Sequence, residues 1–270
     1  MKAAFIGGGN MGEAMLSAIL KKGLSTPEAI SVGDVNQARR QHLAEQYGVY
    51  ATGSSLEALS RGDVVILAIK PQNLDEVMAD IGGQIKSSQL VLSIIAGARI
   101  QTLRLGLKHN SIVRAMPNTP AQIGHGITVW TITAEVSKKQ KAWAGSILGA
   151  MGREIYVADE KYLDMATAIS GSGPAYVFLF MESLAQAAVA IGLPQDIAQE
   201  LVSQTVLGSA SFAQKSGKEL AELRRMVTSP GGTTAEAIEV FEEGQLKELV
   251  KQAVAAAYTK AKKLGNQQVP

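Results

Sequence analysis

The pattern of apolar and polar positions changes character near Asp159. Before that residue, short apolar runs alternate with longer amphipathic stretches, which predicts strands alternating with helices. The predicted strands are residues 3–6, 30–34, 49–51, 63–69, 90–95, 112–116 and 153–157, with a β-rich segment at 126–133. Helices are predicted at 13–22, 37–47, 56–59 and 138–151. This order favours a parallel sheet with right-handed crossovers.

After Asp159 the pattern is helical throughout. Ala-rich stretches predict helices at 162–191, 195–215, 218–226 and 246–264. We therefore predict an α/β domain with a Rossmann-type parallel sheet at 1–159, followed by an all-α domain at 160–270. The helices are apolar on more than one face, so we expect part of their surface to form a subunit interface, most simply in an isologous dimer. A compact monomeric bundle is the alternative.

The first predicted strand leads directly into a glycine-rich turn. Gly7, Gly9 and Gly12 have the G-x-G-x-x-G spacing of dinucleotide-binding folds. In that motif the first glycine makes the turn, the second lets the backbone approach a pyrophosphate, and the third allows close packing of helix on strand. The second strand ends in Asp34, where an acid that binds a ribose is expected. A structural turn without a ligand is the alternative interpretation.

Other strands also end in small or polar residues. These residues are Ala68 and Lys70, Ala96 and Gly97, and Asn118 and Thr119. Pro71 favours an extended backbone at Lys70 and places it beyond the strand's carboxyl end. Because ligands of open α/β sheets bind at that edge, the three strand ends together favour a nucleotide crevice.

Two interruptions divide the helical half. Residues 170–174 place glycines and a proline in helical sequence, either as a boundary between helices or as a close approach to a ligand. At 227–237 a turn rich in hydroxyl groups and glycine leads into a new helix. Backbone N–H groups and hydroxyls there suit a carboxylate, although a helix N-cap with flexible glycines is the alternative.

The amino-acid composition excludes several kinds of partner and several kinds of catalytic or metal site. The apolar fraction is 46% and the formal charge is +2, which gives no reason to expect nucleic acid or an acidic membrane as a partner. The chain contains no cysteine, which excludes disulfides, thiolate catalysis and cysteine-bound metals. Its three histidines are widely spaced, so no metal site is predicted. Without a signal sequence or a membrane-spanning run, a cytoplasmic protein is expected.

Taken together, six segments resemble the pyrroline-5-carboxylate reductase family, and the resemblance covers nearly the whole chain. The segments are FIGGGNMG at 5–12, AIKPQ at 68–72, SIIAG at 93–97, RAMPNTP at 114–120, SGSGPAY at 170–176 and SPGGTT at 229–234. The last segment is the most specific to this family, because it has no role in dinucleotide-binding proteins in general. The resemblance implies reduction of 1-pyrroline-5-carboxylate to L-proline by NADPH or NADH, the last step of proline biosynthesis.

The resemblance also implies roles for individual residues. The implied cofactor contacts are Gly7, Gly9, Asn10, Met11, Gly12, Ala68, Lys70, Pro71, Ala96, Gly97 and Asn118, besides Asp34 at the ribose. The implied substrate contacts are Ser229, Gly231, Gly232 and Thr233 on the carboxylate, and Thr234, the catalytic candidate, beside the ring nitrogen. The family is built as interlocked dimers, often assembled into rings such as decamers, with each active site between a nucleotide domain and the partner's helical domain.

The implied chemistry agrees with these residue types. Hydride moves from the nicotinamide to an imine carbon, and the ring nitrogen is basic enough to take its proton from water. No histidine or carboxylate dyad is therefore required, and the protein supplies orientation and a dry site. We further hypothesise that Thr234 donates a hydrogen bond to the ring nitrogen or relays its proton.

The choice of nucleotide stays open at this point. Asp34 favours the free 2′-hydroxyl of NADH, and we lean towards that nucleotide. Arg39 and Arg40 follow closely, and either could pair with the 2′-phosphate of NADPH if Asp34 turns away.

Two other functions are the alternatives. One is a reductase of the same architecture acting on another cyclic imine or a β-hydroxy acid. For the hydroxy acid a lysine general acid is needed in the first helical segment of the second domain, and Lys161 lies before the interruption at 170–174. The other is a regulatory protein that binds dinucleotides without turnover.

Overall fold

The computed structural model describes residues 1–266. The chain forms two compact units. The first comprises residues 1–172 together with the end of the last helix from Ala256, and the second comprises Gly173–Ala255. Positions 267–270 of the predicted helical domain lie outside the described residues. The predicted domain boundary between residues 159 and 160 stays a prediction. The two units are defined by contacts within a single chain, and these contacts do not test where the domains divide.

The first unit is built on one eight-stranded sheet. Its strands are β1 (Ala3–Ile6), β2 (Ile30–Gly33), β3 (Tyr50–Thr52), β4 (Val64–Leu67), β5 (Leu90–Ser93), β6 (Ile112–Met116), β7 (Gly126–Ile132) and β8 (Gly152–Tyr156). Their order across the sheet is β3-β2-β1-β4-β5-β6-β7-β8. The direction of winding reverses between β1 and β4, and such switch points are where open α/β sheets bind ligands.

All neighbouring strands run parallel except β6 and β7. The Rossmann-type fold is confirmed, with this one antiparallel pair as an addition to the prediction. A short 3₁₀ turn at Thr119–Ile123 joins the two strands, and Gly124 completes it with φ +75°. So short a connection returns the chain antiparallel, because a parallel crossover needs a dozen or more residues.

Helices cover both faces of the sheet, which explains the continuous apolar character of its central strands. They are α1 (Asn10–Lys21), α2 (Gln37–Tyr47), α3 (Ser55–Ser60), α4 (Leu74–Ile81), α5 (Ile100–Leu107), α6 (Lys138–Gly149) and α7 (Lys161–Ala166). Alternate residues of one strand serve different cores: Phe5 packs in one apolar cluster and Ile6 in the other. The two clusters fix the pleat of β1 and therefore the direction in which the chain leaves it.

The interruption predicted at 170–174 is confirmed as a boundary between helices, where α7 continues into a π turn at Thr167–Gly171 and a bend at Ser172 before the next helix begins at Gly173. The N–H of Ser172 donates to the Thr167 carbonyl oxygen at 2.8 Å, five residues back. Ser170 Oγ donates to the carbonyl of Ala166 at 2.9 Å. Pro174 lies in the first turn of α8 (Gly173–Ala190), where it displaces no helical hydrogen bond.

The second unit is entirely helical within the described residues. It contains α8, α9 (Gln195–Ser216), α10 (Leu220–Met226), α11 (Thr233–Glu243) and α12 (Leu246–Asn266) as far as Ala255. Large apolar side chains of these helices are exposed in the single chain, among them Phe178, Leu179, Leu207 and Phe212. An exposed apolar surface of this kind marks an interaction site.

Candidate functional site: a nucleotide crevice and an anion-binding turn

The three motif glycines have the geometry that their spacing predicts. Gly7 has φ +96°, and a Cβ on it would lie 2.6 Å from the Ala68 carbonyl oxygen. A Cβ on Gly12 would lie 2.6 Å from the Gly7 oxygen, so α1 packs directly on the turn. Gly9 has no atom within 4 Å of the equivalent position, which leaves its backbone open to a ligand.

Helix α1 begins with unsatisfied donors pointing out of its first turn. Glu13 N–H is bonded to the Gly9 carbonyl oxygen at 2.9 Å, and Gly9 supplies no side-chain cap. The N–H groups of Asn10, Met11 and Gly12 precede that bond and have no acceptor within the helix. Together with the helix dipole they suit the negative charge of a pyrophosphate.

Asp34 is half-buried and its carboxylate is occupied by backbone donors. Oδ2 accepts from Gly8 N–H at 2.7 Å, and Oδ1 accepts from Asn36 N–H at 2.8 Å. Asp34 therefore ties the end of β2 to the glycine turn. Its predicted contact with a ribose stays a prediction.

The two arginines after β2 are also engaged. Arg39 donates from Nε to the Gly8 carbonyl oxygen and pairs with the Glu13 carboxylate. Arg40 donates from Nη1 to the carbonyl oxygens of Asp34 at 2.8 Å and Val35 at 3.0 Å. Arg39 therefore points at the glycine turn. Pairing of Arg39 with the 2′-phosphate of NADPH was one possibility that the sequence left open, and its side chain is engaged elsewhere in this structure.

A cleft of about 370 Å³ opens at the switch point of the sheet. Its walls include Gly7, Asp34 and Ile69, with the acidic side chains of Glu76 and Asp80 on α4. Ala68 donates its N–H to the Ile6 carbonyl oxygen at 2.9 Å, and the chain leaves the sheet there. Lys70, with ψ 148°, and Pro71 then start a 3₁₀ turn, so strand β4 ends at Leu67 instead of the predicted Ile69.

The next two strand ends are held by different means. Asn118 is buried, and its Oδ1 accepts from Ile127 N–H at 2.9 Å, which fixes the turn after β6. Gly97 follows Ala96 with φ +78°, and a Cβ on it would lie 3.0 Å from Leu264 Cβ. The end of α12 therefore packs on the turn after β5.

The π turn lies against the end of β6. A Cβ on Gly171 would lie 2.9 Å from Met116 Cε, so the SGSGPAY and RAMPNTP segments meet there. Single π turns inside helices occur frequently at functional sites. This contact brings together two segments that the sequence analysis could describe only separately.

A largely buried ion network around Arg114 was not predicted from the sequence. Arg114 on β6 is 3% exposed and donates to Glu160 at 2.8 Å and to Asp164 at 3.0 Å. Glu160 also accepts the N–H of Ile100 at 2.8 Å, which ties α5 to the same cluster. A single arginine in an otherwise apolar strand was the available signal, because a buried charge requires partners.

In the second unit, the turn before α11 presents another set of donors. Gly231 has φ +68°, and Gly232 N–H donates to the Ser229 carbonyl oxygen at 3.0 Å. Thr233 and Thr234 are the first residues of α11, so their N–H groups have no acceptor within the helix. Ser229 and Thr233 are exposed and Thr234 is half-buried. Such a turn at a helix start suits a carboxylate.

The described residues show neither a metal cluster nor a membrane-spanning helix. Among residues 1–266, no group of three histidine, aspartate or glutamate side chains is arranged to hold a metal ion. In the same part of the chain, no helix combines the length and apolar character needed to cross a membrane.

Two family models match the chain. The model described as pyrroline-5-carboxylate reductase dimerisation matches residues 160–264 and indicates self-association. The model described as NADP oxidoreductase, coenzyme F420-dependent, matches residues 2–97, which include the glycine turn and Asp34.

Relatives and solved structures agree with these matches. The pyrroline-5-carboxylate reductase of Synechocystis is 40% identical over 98% of both chains. The structure of a pyrroline-5-carboxylate reductase from Coxiella burnetii has a TM-score of 0.87 at 38% identity, covering 97% of this chain and 98% of that one. The Plasmodium falciparum pyrroline carboxylate reductase with NADP bound has a TM-score of 0.89 at 33% identity and 98% coverage of both chains. The chain therefore belongs to the pyrroline-5-carboxylate reductase family.

Proposed function

We propose that this protein reduces 1-pyrroline-5-carboxylate to L-proline with NADPH or NADH, as the last step of proline biosynthesis. The observation that carries the proposal is the pair of helix starts that suit anions. One follows the glycine turn, where Gly9 leaves room for a pyrophosphate. The other is the turn at 229–234, which suits the carboxylate of the imine acid that pyrroline-5-carboxylate reductases are named for.

The nucleotide is proposed to bind along the carboxyl ends of the parallel strands. The N–H groups of Asn10, Met11 and Gly12 hold its pyrophosphate, while Gly7, Gly9 and Asp34 shape the turn around it. The remaining proposed contacts follow the next three strands: Ala68, Lys70, Pro71, Ala96, Gly97 and Asn118. A reduced nicotinamide bound there would supply the hydride for the imine carbon.

The proposed substrate contacts orient the imine. Ser229, Gly231, Gly232 and Thr233 hold the carboxylate, and the Thr234 hydroxyl faces the ring nitrogen, to which it donates a hydrogen bond or relays a proton. The imine carbon accepts hydride better once the ring nitrogen is protonated, and water is sufficient to protonate this nitrogen. Catalysis then depends mainly on positioning and on a fixed electrostatic environment.

We propose an isologous dimer as the active unit, supported by the matched dimerisation region and the exposed apolar side chains of α8 and α9. Each active site would combine the nucleotide domain of one subunit with the helical domain of its partner. A ring of dimers such as a decamer and a cytoplasmic location stay predictions.

No observation favours the hydroxy-acid alternative. Lys161 Nζ pairs with Asp159 at 2.8 Å on an exposed part of the surface. That hydrogen bond raises the pKa of the Lys161 ammonium group, which keeps it charged and paired.

The test compares two cyclic imines that differ only in the carboxylate. With pyrroline-5-carboxylate we expect oxidation of NADPH or NADH. With 1-pyrroline, which lacks the carboxylate, we expect kcat/KM to fall by about tenfold or more, because hydrogen bonds to a charged group are lost. Equal kcat/KM values for the two imines would contradict the carboxylate site. Nucleotide binding without oxidation of either imine would contradict the reductase assignment.

A further inference from the structure

The peptide groups of Gly8 are held on both sides by side chains from the neighbouring βα unit. Its N–H donates to Asp34 Oδ2 at 2.7 Å, and its carbonyl oxygen accepts from Arg39 Nε. A Cβ on Gly8 would lie 2.5 Å from Cδ1 of the buried Leu43. Gly8 is therefore fixed between β2 and α2, although the dinucleotide motif leaves its position unspecified.

Arg39 is itself fixed by Glu13 in the first turn of α1. Glu13 Oε1 accepts from Tyr47 Oη at 2.9 Å and lies 2.9 Å from His42 Nε2. The Arg39 and Glu13 side chains are only 24% and 21% exposed. One planar guanidinium thus connects the glycine turn to the helix that follows it, in a geometry that a lysine ammonium cannot reproduce.

The Glu13 carboxylate is charged at neutral pH. Its partial burial alone would raise its pKa, but hydrogen bonds with His42, Arg39 and Tyr47 together lower the pKa below the usual value. Both members of the pair therefore carry charge, which strengthens their hydrogen bonds.

The position of this pair matters for ligand binding because Gly8 lies directly before the open residue Gly9. The orientation of the Gly8 peptide sets where Gly9 and the first N–H groups of α1 point. A rotation of that peptide would change the direction of these donors. A site built from backbone donors depends on such support, since the donors have no side-chain freedom with which to adjust.

We propose that Glu13 and Arg39 are positioning residues that hold the glycine turn in the conformation that receives the pyrophosphate of the nucleotide. The inference rests on the proposed function only in that the chain binds a nicotinamide dinucleotide. NADH and NADPH share the pyrophosphate, so loss of the pair weakens both nucleotides by the same factor.

The experiment measures the Kd of NADH and NADPH by isothermal titration of the full chain carrying Arg39→Met, Arg39→Lys or Glu13→Gln. We expect Arg39→Met to raise both Kd values by about tenfold, as expected for losing hydrogen bonds of a charged group. Arg39→Lys should recover part of the affinity, because an ammonium can make one of the two contacts. In turnover, the KM for nucleotide should rise while kcat is unchanged.

Arg104→Met is the matched control. Arg104 pairs with Glu135 at 3.1 Å, and both side chains are exposed on another part of the surface. We expect this variant to keep the wild-type Kd for both nucleotides. It separates the effect of the glycine turn from the general effect of removing an arginine.

Two results would overturn the inference. A loss of affinity for NADPH alone would mean that Arg39 contacts the 2′-phosphate directly. Unchanged Kd values with a lower melting temperature would mean that the pair only stabilises the fold. If Arg39→Met does not fold, the milder Glu13→Gln decides between the same outcomes. Because binding is measured without an imine, failure of the proposed reduction leaves this test intact.

Discussion

At the scale of single residues, the spacing of Gly7, Gly9 and Gly12 was enough to predict three different roles, and the structure confirms the geometry of each. The reason is that the turn, the open backbone and the close contact with the helix all concern the backbone of residues 7–12, which are neighbours in the sequence. The hydrogen bond that fixes the Gly8 carbonyl oxygen comes from Arg39, which lies on a different helix and is distant in the sequence. Asp34 was recognised as important, but its bonds to Gly8 and Asn36 depend on the fold of the turn.

Thr234 tests the proposed chemistry. Thr234→Ala removes the hydroxyl proposed to face the ring nitrogen, and we expect kcat to fall by about a hundredfold, as for other groups that handle a proton in the transition state. Thr234→Ser keeps the hydroxyl and should retain kcat within a few-fold. Steady-state kinetics with pyrroline-5-carboxylate measures both. The exposed Thr26→Ala serves as the control, and full activity of Thr234→Ala would remove the proposed role.

His109 predicts a pH dependence of stability. The residue is buried, with Nε2 2.9 Å from the Gln89 carbonyl oxygen. Burial lowers its pKa below 6.5, more than hydrogen bonds to the backbone raise it. The unfolded chain then binds a proton that the folded chain does not, so stability should fall as the pH drops below about 6.5.

Thermal melts at a series of pH values measure this effect. His109→Gln should flatten the dependence of Tm on pH between about 7.5 and 5.5, because the linked proton is gone. The exposed His125→Gln should keep the wild-type slope. An unchanged slope in His109→Gln would show that another group carries the pH dependence.

At the scale of elements, most strands and several helices were predicted close to their observed positions, whereas α4 and α5 were not predicted. Helix α2 was placed correctly at Gln37–Tyr47, where the Asn36 side chain caps its start and Gly48 ends it with φ +68°. The π turn at Thr167–Gly171 was not foreseen, although the boundary that precedes α8 was predicted from its glycines and proline. In this turn the hydroxyl groups of Thr167 and Ser170 donate hydrogen bonds to the backbone carbonyl oxygens four residues earlier in the chain.

Two glycine-to-alanine changes in helices test how α1 packs. Gly12→Ala places a methyl group 2.6 Å from the Gly7 oxygen, so α1 must shift. We expect a loss of about 1–3 kcal/mol in the free energy of unfolding, as for other overpacked sites, and a weaker affinity for nucleotide. Denaturant titration and the nucleotide Kd measure the two effects.

Gly145→Ala in α6 is the control. Its new methyl group would lie 3.7 Å from Trp130 Cζ2, an ordinary contact. Removing a helical glycine should stabilise the fold by up to about 1 kcal/mol. Wild-type stability in Gly12→Ala would contradict the close packing of α1 on the turn, and wild-type nucleotide affinity would contradict the role of that packing in nucleotide binding.

At the scale of the whole molecule, composition and pattern predicted two kinds of structure and an apolar surface larger than one chain can bury. The exposed side chains of α8 and α9 agree with that reasoning, and the matched dimerisation region indicates what covers them. The number of subunits does not follow from such a surface. Its apolar character indicates that it is buried against another subunit, but not how many subunits assemble or with which symmetry. Rings of dimers therefore stay a prediction from the family resemblance.

Phe178→Glu tests the dimer. This side chain is 62% exposed in the single chain, and burying a carboxylate in an apolar interface is costly. We expect a monomer by light scattering after gel filtration, with nucleotide still bound and turnover lost. Leu105→Glu, on the equally exposed Leu105 of α5, should leave the dimer intact. An active monomer would contradict an active site shared between subunits.

The products of one reaction decide whether this chain forms proline. Purified protein is incubated with pyrroline-5-carboxylate and either NADPH or NADH, and L-proline is quantified against oxidised nucleotide. We expect equal molar amounts of the two products, and the ratio of kcat/KM for the two nucleotides measures how Asp34 affects binding at the 2′ position. Nucleotide that binds without yielding proline would contradict the account and favour a regulatory dinucleotide-binding protein.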